Sequence, residues 1–202
     1  MTTVLFVCEG NVCRSPFAEL LLRERLRESG ATSAHVTSAG TRARAGAAMH
    51  PSSARLLAAL GVEDRGAGAR PLTSAVLDGV DLVLTMERAQ RGDVLDLAPR
   101  LLRRTFTVLE FARLVRPLLD GDRVHEDFWD ELPRLVAEQR LTTRPSSGDD
   151  DDVPDPVRGT EQAFHATAET LLPALEVLRE VVVRTSGAQG CEASATLEEV
   201  PA

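Results

Sequence analysis

Short apolar segments alternate with longer amphipathic segments along most of the chain. The apolar segments predict four β-strands, at residues 4–8, 35–38, 81–85 and 105–108. Apolar residues spaced three and four apart predict α-helices at residues 15–29, 52–60, 87–97, 111–119, 128–140 and 160–183. Strands that alternate with helices form parallel sheets covered by helices on both faces. The pattern therefore predicts an α/β fold, a three-layer α/β/α sandwich around a four-stranded parallel sheet.

Two polar segments interrupt this alternation. Residues 142–152 contain Pro145, Gly148 and four consecutive aspartates, which predicts a flexible acidic insertion. Residues 186–202 are small, polar and acidic, which predicts a disordered tail. We expect residues 1–185 to form one domain. No apolar run approaches the ~20 residues of a membrane span, and no basic-then-apolar leader begins the chain, so we expect a cytoplasmic protein without a membrane partner.

The net charge of −8 is unevenly distributed. Seven of the negative charges lie in the acidic insertion and the tail, so the remainder of the chain is nearly neutral. The sequence has no long run or extended stripe of basic residues, so we do not expect the protein to bind nucleic acid. Three cysteines, two of them close together, do not make a disulfide framework. A reducing compartment is therefore expected.

The most informative motif follows the first predicted strand directly. It reads Cys8-Glu9-Gly10-Asn11-Val12-Cys13-Arg14-Ser15. Five residues between a cysteine and an arginine can wrap a loop around one tetrahedral oxyanion, with backbone N–H groups and a helix N-terminus directed inward. The arginine offers a planar fork that matches two phosphate oxygens, and the same field favours a thiolate. We therefore predict a phosphate-binding loop at the carboxyl end of the first strand, with Cys8 as nucleophile.

Residues 4–19, which include this motif, resemble the opening of the low-molecular-weight protein-tyrosine phosphatases. The Ser-Ala-Gly-Thr turn at residues 38–41 resembles the second-strand turn of that family. The Pro-Asp-Pro segment at residues 154–156 resembles its acid loop. The resemblance covers most of residues 3–183.

This resemblance implies a protein-tyrosine phosphatase that works through a phosphocysteine intermediate and needs no metal or other cofactor. It implies that Cys8 attacks phosphorus, that Arg14 binds the phosphate, and that Asp155 is the general acid and then the general base. Asp152 is a rival acid, although it ends a charge run that is typical of a solvated segment. The resemblance also implies that Cys13 can trap oxidised Cys8 as a reversible disulfide, and the alternative is that Cys13 only packs the loop.

The substrate class depends on residues around the loop. Relatives that prefer phosphoarginine carry a threonine where this chain has Val12, which favours phosphotyrosine. Val157 and Arg158 stand where many relatives have aromatic residues, so weaker stacking on a substrate ring is expected. The expected partner is a phosphotyrosine protein, with a tyrosine kinase as one candidate. We expect a monomer or a weak dimer.

Two alternative functions stay open from the residues alone. Arsenate reductases share the fold and a cysteine loop, although the thioredoxin-linked ones need further cysteines, and here only Cys191 remains. A non-catalytic phosphotyrosine-binding or redox-sensing module would require a broken catalytic set. The support of Asn11 is also open, because family members often carry a histidine where this chain has Ala67 and Gly68.

Overall fold

Four parallel strands form the centre of the fold. The computed structural model describes residues 1–64, 66–143 and 151–186. Its strands are β1 (Thr2–Cys8), β2 (Ala34–Gly40), β3 (Leu82–Thr85) and β4 (Thr105–Thr107). Their order in the sheet is β2-β1-β3-β4, and every neighbouring pair is parallel. The predicted four-stranded parallel sheet is confirmed.

Six α-helices connect and cover the strands. They are α1 (Arg14–Glu28), α2 (Pro51–Ala59), α3 (Arg88–Leu97), α4 (Val108–Asp120), α5 (Phe128–Thr142) and α6 (Glu161–Thr185). Two short 3₁₀ segments, Ser74–Leu77 and Pro99–Arg104, complete the described elements. In the part of the chain that the structure describes, every helix falls short of the length and apolarity that a membrane crossing requires.

Two hydrophobic clusters lie on opposite faces of the sheet. Val4 and Phe6 of β1 belong to the larger cluster, which also contains buried side chains of α1, α4, α5 and α6. Leu5 and Val7, which alternate with them, belong to the smaller cluster, with α3 residues such as Val94. Because successive side chains of a strand point to opposite faces, this division produces the three predicted layers.

The start of α4 differs from the sequence prediction. The predicted strand 105–108 ends at Thr107, and the helix begins at Val108 instead of residue 111. The Thr107 hydroxyl accepts a hydrogen bond from the Glu110 backbone N–H at 3.1 Å. A threonine that satisfies a free N–H in the first turn is a common helix N-cap, and this local bond ends the strand early.

The domain boundaries stay a prediction. Most of the acidic insertion, residues 144–150, and residues 187–202 of the tail lie outside the described residues. The last two residues of the insertion are described: Asp151 pairs with Arg113 of α4, and Asp152 accepts a hydrogen bond at the start of α3.

Candidate functional site

The predicted phosphate loop begins where β1 ends. Cys8 is the last residue of β1, and α1 begins at Arg14, so the loop joins a strand end to a helix N-terminus. The Cys8 Sγ lies 2.9 Å from the Ser15 Oγ and accepts a hydrogen bond from the Asn11 backbone N–H at 3.2 Å. These two hydrogen bonds fix the sulfur at the base of the loop.

Asn11 supports the loop from behind. Its backbone has a positive φ of 51°, so the left-handed residue is Asn11 and not Gly10. The Asn11 Nδ2 donates to the Ser15 Oγ at 3.0 Å and to the Ser38 Oγ at 2.8 Å. Its Oδ1 accepts from the Arg70 backbone N–H at 2.7 Å. All the polar atoms of this buried amide are therefore bonded, without the histidine that family members carry nearby.

A second group of contacts holds Ser38 in place. Its hydroxyl donates to the Glu19 Oε2 at 2.6 Å, and its carbonyl oxygen accepts from the Arg70 Nε at 3.1 Å and Nη2 at 2.9 Å. Glu19, Ser38 and Arg70 were not predicted from the sequence as supporting residues. The signal that could have found Ser38 was its place in the Ser-Ala-Gly-Thr turn.

Arg14 is the largest fully buried side chain, with 1% of its surface exposed. Its Nη1 donates to Glu87 Oε1 and, at 2.9 Å, to the Val153 carbonyl. Its Nη2 lies 2.9 Å from the Asp155 Oδ2. The Nε is buried and has no hydrogen-bond partner among the described residues. Because buried donors are normally satisfied, this N–H suits a ligand oxygen.

Glu87 is a site residue that the sequence analysis missed. It lies between β3 and α3, where it is the N-cap residue of α3 in a capping box with Gln90. Its carboxylate also pairs with the Nη1 of the Arg14 guanidinium. A bonded carboxylate orients a guanidinium fork, so Glu87 directs the remaining N–H groups of Arg14.

A cavity of about 490 Å³ joins the loop to the segment around Asp155. Its walls are formed by Cys8, Glu9, Gly10, Val12, Cys13, Arg14, Arg42, Asp155, Val157 and Arg158. The two remaining predicted loop residues, Asn11 and Ser15, lie behind the sulfur. Asp152 is not part of this wall; its Oδ1 accepts from the Arg88 backbone N–H at 2.8 Å. The cavity thus brings Asp155, and not Asp152, into the wall that it shares with Cys8.

Cys13 lies in the same cavity wall and is buried. Burial is the main cause that raises the pKa of the Cys13 thiol to about 12, and the nearby Asp155 and Cys8 raise it further. A hydrogen bond with Ser53 and the charge of Arg14 act in the opposite direction. Cys13 is therefore mostly protonated near neutral pH.

Gly40, the last residue of β2, packs directly against the phosphate loop. A Cβ added there would lie 2.6 Å from the Glu9 carbonyl oxygen and 2.9 Å from the Asn11 nitrogen. The next residue, Thr41, donates from its N–H to the Cys8 carbonyl at 2.9 Å. The close approach of these two backbones therefore requires a glycine.

We expect Gly40→Ala to destabilise the protein by about 1–3 kcal/mol, the usual result of overpacking, and to reduce turnover by displacing Asn11. Thermal unfolding and turnover of an aryl phosphate measure the two effects. Gly92→Ala is the matched control, because nothing lies within 4 Å of a Cβ at that position in α3. In a helix this change should be neutral or stabilising by about 0.5–1 kcal/mol. Equal unfolding temperatures and equal turnover in Gly40→Ala and Gly92→Ala would contradict the proposed close packing of Gly40 against the loop.

Three other ring side chains, those of His50, Phe128 and Trp129, lie away from the cavity wall. His50 accepts a hydrogen bond from the Ser52 N–H at the start of α2, and its ring stacks on Phe164 at 4.5 Å. Phe128 is fully buried in the larger cluster. The Trp129 Nε1 donates to the Thr185 Oγ1 at 3.1 Å. These side chains stabilise the fold and do not line the pocket at Cys8.

Sequence comparison identifies similar proteins over more than half of the chain. The family model for low molecular weight phosphotyrosine protein phosphatase matches residues 3–120. Etp of Escherichia coli, a low molecular weight protein-tyrosine-phosphatase, is 37% identical over 67% of this chain and 90% of its own length. EpsP of Ralstonia nicotianae, a probable enzyme of this type, is 37% identical over 46% of this chain. The match spans only 60% of the length of EpsP.

Solved structures show the same fold. Wzb, a tyrosine phosphatase from Escherichia coli K30 solved in complex with sulphate, superposes with a TM-score of 0.63 and 24% identity, covering 88% of this chain and 96% of Wzb. The YwlE arginine phosphatase from Geobacillus stearothermophilus superposes with a TM-score of 0.64 and 23% identity, covering 89% of this chain and 92% of YwlE. The two neighbours are named for different substrates, and their TM-scores to this chain are nearly equal. The fold alone therefore does not distinguish phosphotyrosine from phosphoarginine as the substrate.

Proposed function

The chain belongs to the low-molecular-weight phosphotyrosine protein phosphatase family, and we propose from this premise that it hydrolyses phosphotyrosine and other aryl phosphate monoesters. The observation that carries the proposal is the convergence of three groups on one cavity: the Cys8 sulfur, the Arg14 guanidinium and the Asp155 carboxylate. Together they supply a nucleophile, an oxyanion clamp and a proton donor.

In the first step Cys8 attacks phosphorus in line with the leaving oxygen, forming an S–P bond as the P–O bond breaks. The loop N–H groups and the fork of Arg14 bind the equatorial oxygens, where charge spreads in the transition state. A phosphate oxygen that binds Nη2 would take the place of the Asp155 carboxylate there. That exchange leaves Asp155 facing the leaving oxygen, to which it delivers a proton.

In the second step water replaces the sulfur on phosphorus. Asp155, now ionised, accepts a proton from the attacking water, and inorganic phosphate leaves as the Cys8 thiolate is restored. Using the same carboxyl group as acid and then base returns the enzyme to its starting state. The Asp155 Oδ1 accepts from the Val157 N–H at 3.1 Å, which orients the carboxyl group for both proton transfers.

Phosphotyrosine suits this cavity better than phosphoarginine. Val12 presents a branched apolar side chain to the cavity where a threonine hydroxyl would favour phosphoarginine. Val157 and Arg158, also in the wall, supply apolar and cationic groups instead of aromatic rings. The proposed partner is a phosphotyrosine protein, with a tyrosine kinase as one candidate. We propose a monomer or weak dimer that acts in the cytoplasm.

The direct test is hydrolysis of p-nitrophenyl phosphate in the presence of a chelator, followed by assays with a phosphotyrosine peptide and a phosphoarginine peptide. We expect turnover of the aryl ester without metal and preference for phosphotyrosine. Arsenate with a thiol reductant in a parallel assay tests the less favoured arsenate reductase alternative. Binding of phosphotyrosine without turnover would instead identify a non-catalytic module. If the wild type does turn over phosphotyrosine, an Asp155→Ala substrate trap would identify its physiological partners.

We also propose that Cys13 is the redox partner of Cys8. Peroxide would oxidise the Cys8 thiolate to a sulfenic acid, releasing water or hydroxide. The Cys13 thiolate would then attack that sulfur, forming the disulfide and releasing a second hydroxide. The position of both cysteines in one cavity wall supports this pairing. The reversible disulfide would protect Cys8 from irreversible oxidation.

The pH dependence of this reaction follows from Cys13. Its pKa of about 12 means that only a small fraction of Cys13 is thiolate near neutrality. As long as the pH is below the pKa, this thiolate fraction grows about tenfold for each unit by which the pH rises. Disulfide closure from the preformed sulfenic acid should therefore accelerate as pH rises from 7 to 9. Quenched mass spectrometry after a peroxide pulse measures the rate. Sulfonic acid at Cys8 with no Cys8–Cys13 bond at any pH would eliminate this role.

A further inference from the structure

The segment that carries Asp155 is bonded to a different part of the fold at each residue. Asp151 pairs with Arg113 of α4. Asp152 accepts from the Arg88 N–H at the start of α3. These two contacts attach the beginning of the segment to α4 and to the start of α3, the helices that follow and precede β4 in the chain. Residues 151–155 therefore approach the cavity along a defined path.

The next two residues are bonded through their backbones. The Val153 N–H donates to the Met86 carbonyl at 2.7 Å, and its own carbonyl accepts from the Arg14 guanidinium. The Pro154 carbonyl accepts from the Thr167 hydroxyl of α6 at 3.2 Å. Val153 is fully buried. These bonds join the middle of the segment to Met86, to Arg14 and to α6, so Val153 and Pro154 lie on the path that links Asp151 to Asp155.

Asp151 makes a two-point side-chain contact with Arg113 of α4. Its Oδ2 lies 2.8 Å from the Arg113 Nη2 and its Oδ1 lies 3.3 Å from the Arg113 Nε, which is a two-point carboxylate–guanidinium pair. The Asp151 side chain is 13% exposed and that of Arg113 is 29% exposed. Two parallel bonds fix orientation as well as distance. The pair therefore fixes the direction in which the segment runs from Asp151 along α4.

The chain between this pair and Asp155 is stiff. Within this stretch Pro154 has a restricted φ angle, and Val153, which precedes it, has a restricted ψ angle. Few soft torsions remain to absorb a displacement of Asp151. A shift at Asp151 should therefore move the Asp155 carboxyl group.

We propose that the Asp151–Arg113 pair is a positioning element for the general acid Asp155. The inference rests on the proposed phosphatase function and extends it to two residues that touch neither substrate nor phosphate. A small displacement of a catalytic group can reduce a rate by up to about 10²-fold. The effect should fall mainly on proton donation, since Cys8 and its hydrogen bonds lie on another element and Val153 contacts Arg14 through its main-chain carbonyl.

The experiment compares two esters that differ in their need for an acid. Phenyl phosphate expels a poorly stabilised phenolate and requires the proton, whereas 2,4-dinitrophenyl phosphate expels a stable anion and does not. In the proposed role, Asp151→Asn lowers kcat/KM on phenyl phosphate by about tenfold to 10²-fold. On the dinitrophenyl ester the same variant stays within about threefold of the wild type. The parameter kcat/KM is used because it reports the first chemical step.

Arg113→Lys is the second variant, because it retains the charge but loses the two-point geometry. It should shift the ratio of the two esters in the same direction, and the double variant should be no worse than the more impaired single variant. Glu180→Gln is the matched control: Glu180 of α6 pairs with Arg116, also on α4, at 3.4 Å. That control should leave the ratio of the two esters unchanged.

Thermal unfolding of every variant accompanies the kinetics, so that a loss of folded protein is distinguished from a loss of positioning. Equal losses on both esters in folded Asp151→Asn, or no loss on either, would overturn the proposal. A wild-type protein that hydrolyses neither ester would instead refute the phosphatase function itself. The two failures are thus distinguishable in one data set.

Discussion

Replacing Cys8 by serine should reduce turnover of aryl phosphates by about 10⁴-fold or more, the scale of loss when a catalytic nucleophile is removed. A serine hydroxyl is neutral near pH 7 and a much weaker nucleophile than a thiolate. No other group on the cavity wall is placed to take over, because Cys13 remains protonated at the pKa of about 12 that its burial imposes.

The physical basis of this expectation is the surroundings of the sulfur. The Cys8 Sγ lies 2.9 Å from the Ser15 Oγ and 3.2 Å from the Asn11 nitrogen. A serine side chain is slightly smaller than cysteine but has the same shape. The loop backbone is held by Asn11 and by the Ser-Ala-Gly-Thr turn at the end of β2. Phosphate binding should therefore survive in Cys8→Ser while chemistry is lost.

Steady-state turnover of p-nitrophenyl phosphate and calorimetric titration with inorganic phosphate measure the two properties separately. Cys191→Ser is the control, since it removes a thiol that lies outside the described residues and is not part of the proposed site. Turnover in Cys8→Ser close to that of the wild type would refute the phosphocysteine mechanism. Loss of phosphate binding would show that the sulfur also determines the shape of the loop.

Asp155→Asn is expected to lower kcat by about 10²–10⁴-fold, the usual contribution of general acid–base catalysis. Asparagine preserves the size of the side chain but can neither deliver a proton to the leaving oxygen nor accept one from water. The ion pair between Asp155 and the Arg14 Nη2 is also lost. Binding of phosphate should therefore be retained or slightly strengthened.

Asp152→Asn is the informative comparison, because Asp152 is the rival acid only three residues away. The Asp152 carboxylate already accepts from the Arg88 N–H, and asparagine is an equally good partner at a helix start. We expect kcat in Asp152→Asn to remain within about tenfold of the wild type. The reverse ranking of the two variants would assign the acid to Asp152.

The local features of the site were predictable from the sequence. A strand, a tight loop with Asn11 and a helix start are determined by neighbouring residues, and all of them lie within one run of about fifteen positions. The parallel sheet was predictable because strand and helix patterns alternate. The end of β4 was predicted one residue late, because the capping bond of Thr107 was not considered.

The supports of the site were not predictable, because they join residues that are distant in the sequence. Arg14 contacts Val153, 139 positions away, and Glu87, 73 positions away. Asn11 contacts the Arg70 backbone, 59 positions away. The local pattern of apolar and polar residues gives no information about contacts between such distant positions. A contact made by a backbone N–H also does not depend on the residue type.

The order of residues alone places a cysteine and an arginine at the two ends of one short loop, and an aspartate between two prolines. These are properties of residue type and short spacing. Only the tertiary structure decided which groups surround them. Folding brings Glu87 onto Arg14, Ser38 onto Asn11, and the Asp151–Arg113 pair to the base of the segment carrying Asp155. The physical reason is that hydrogen bonds and ion pairs require distances near 3 Å, which parallel strands and packed helices set and sequence order does not.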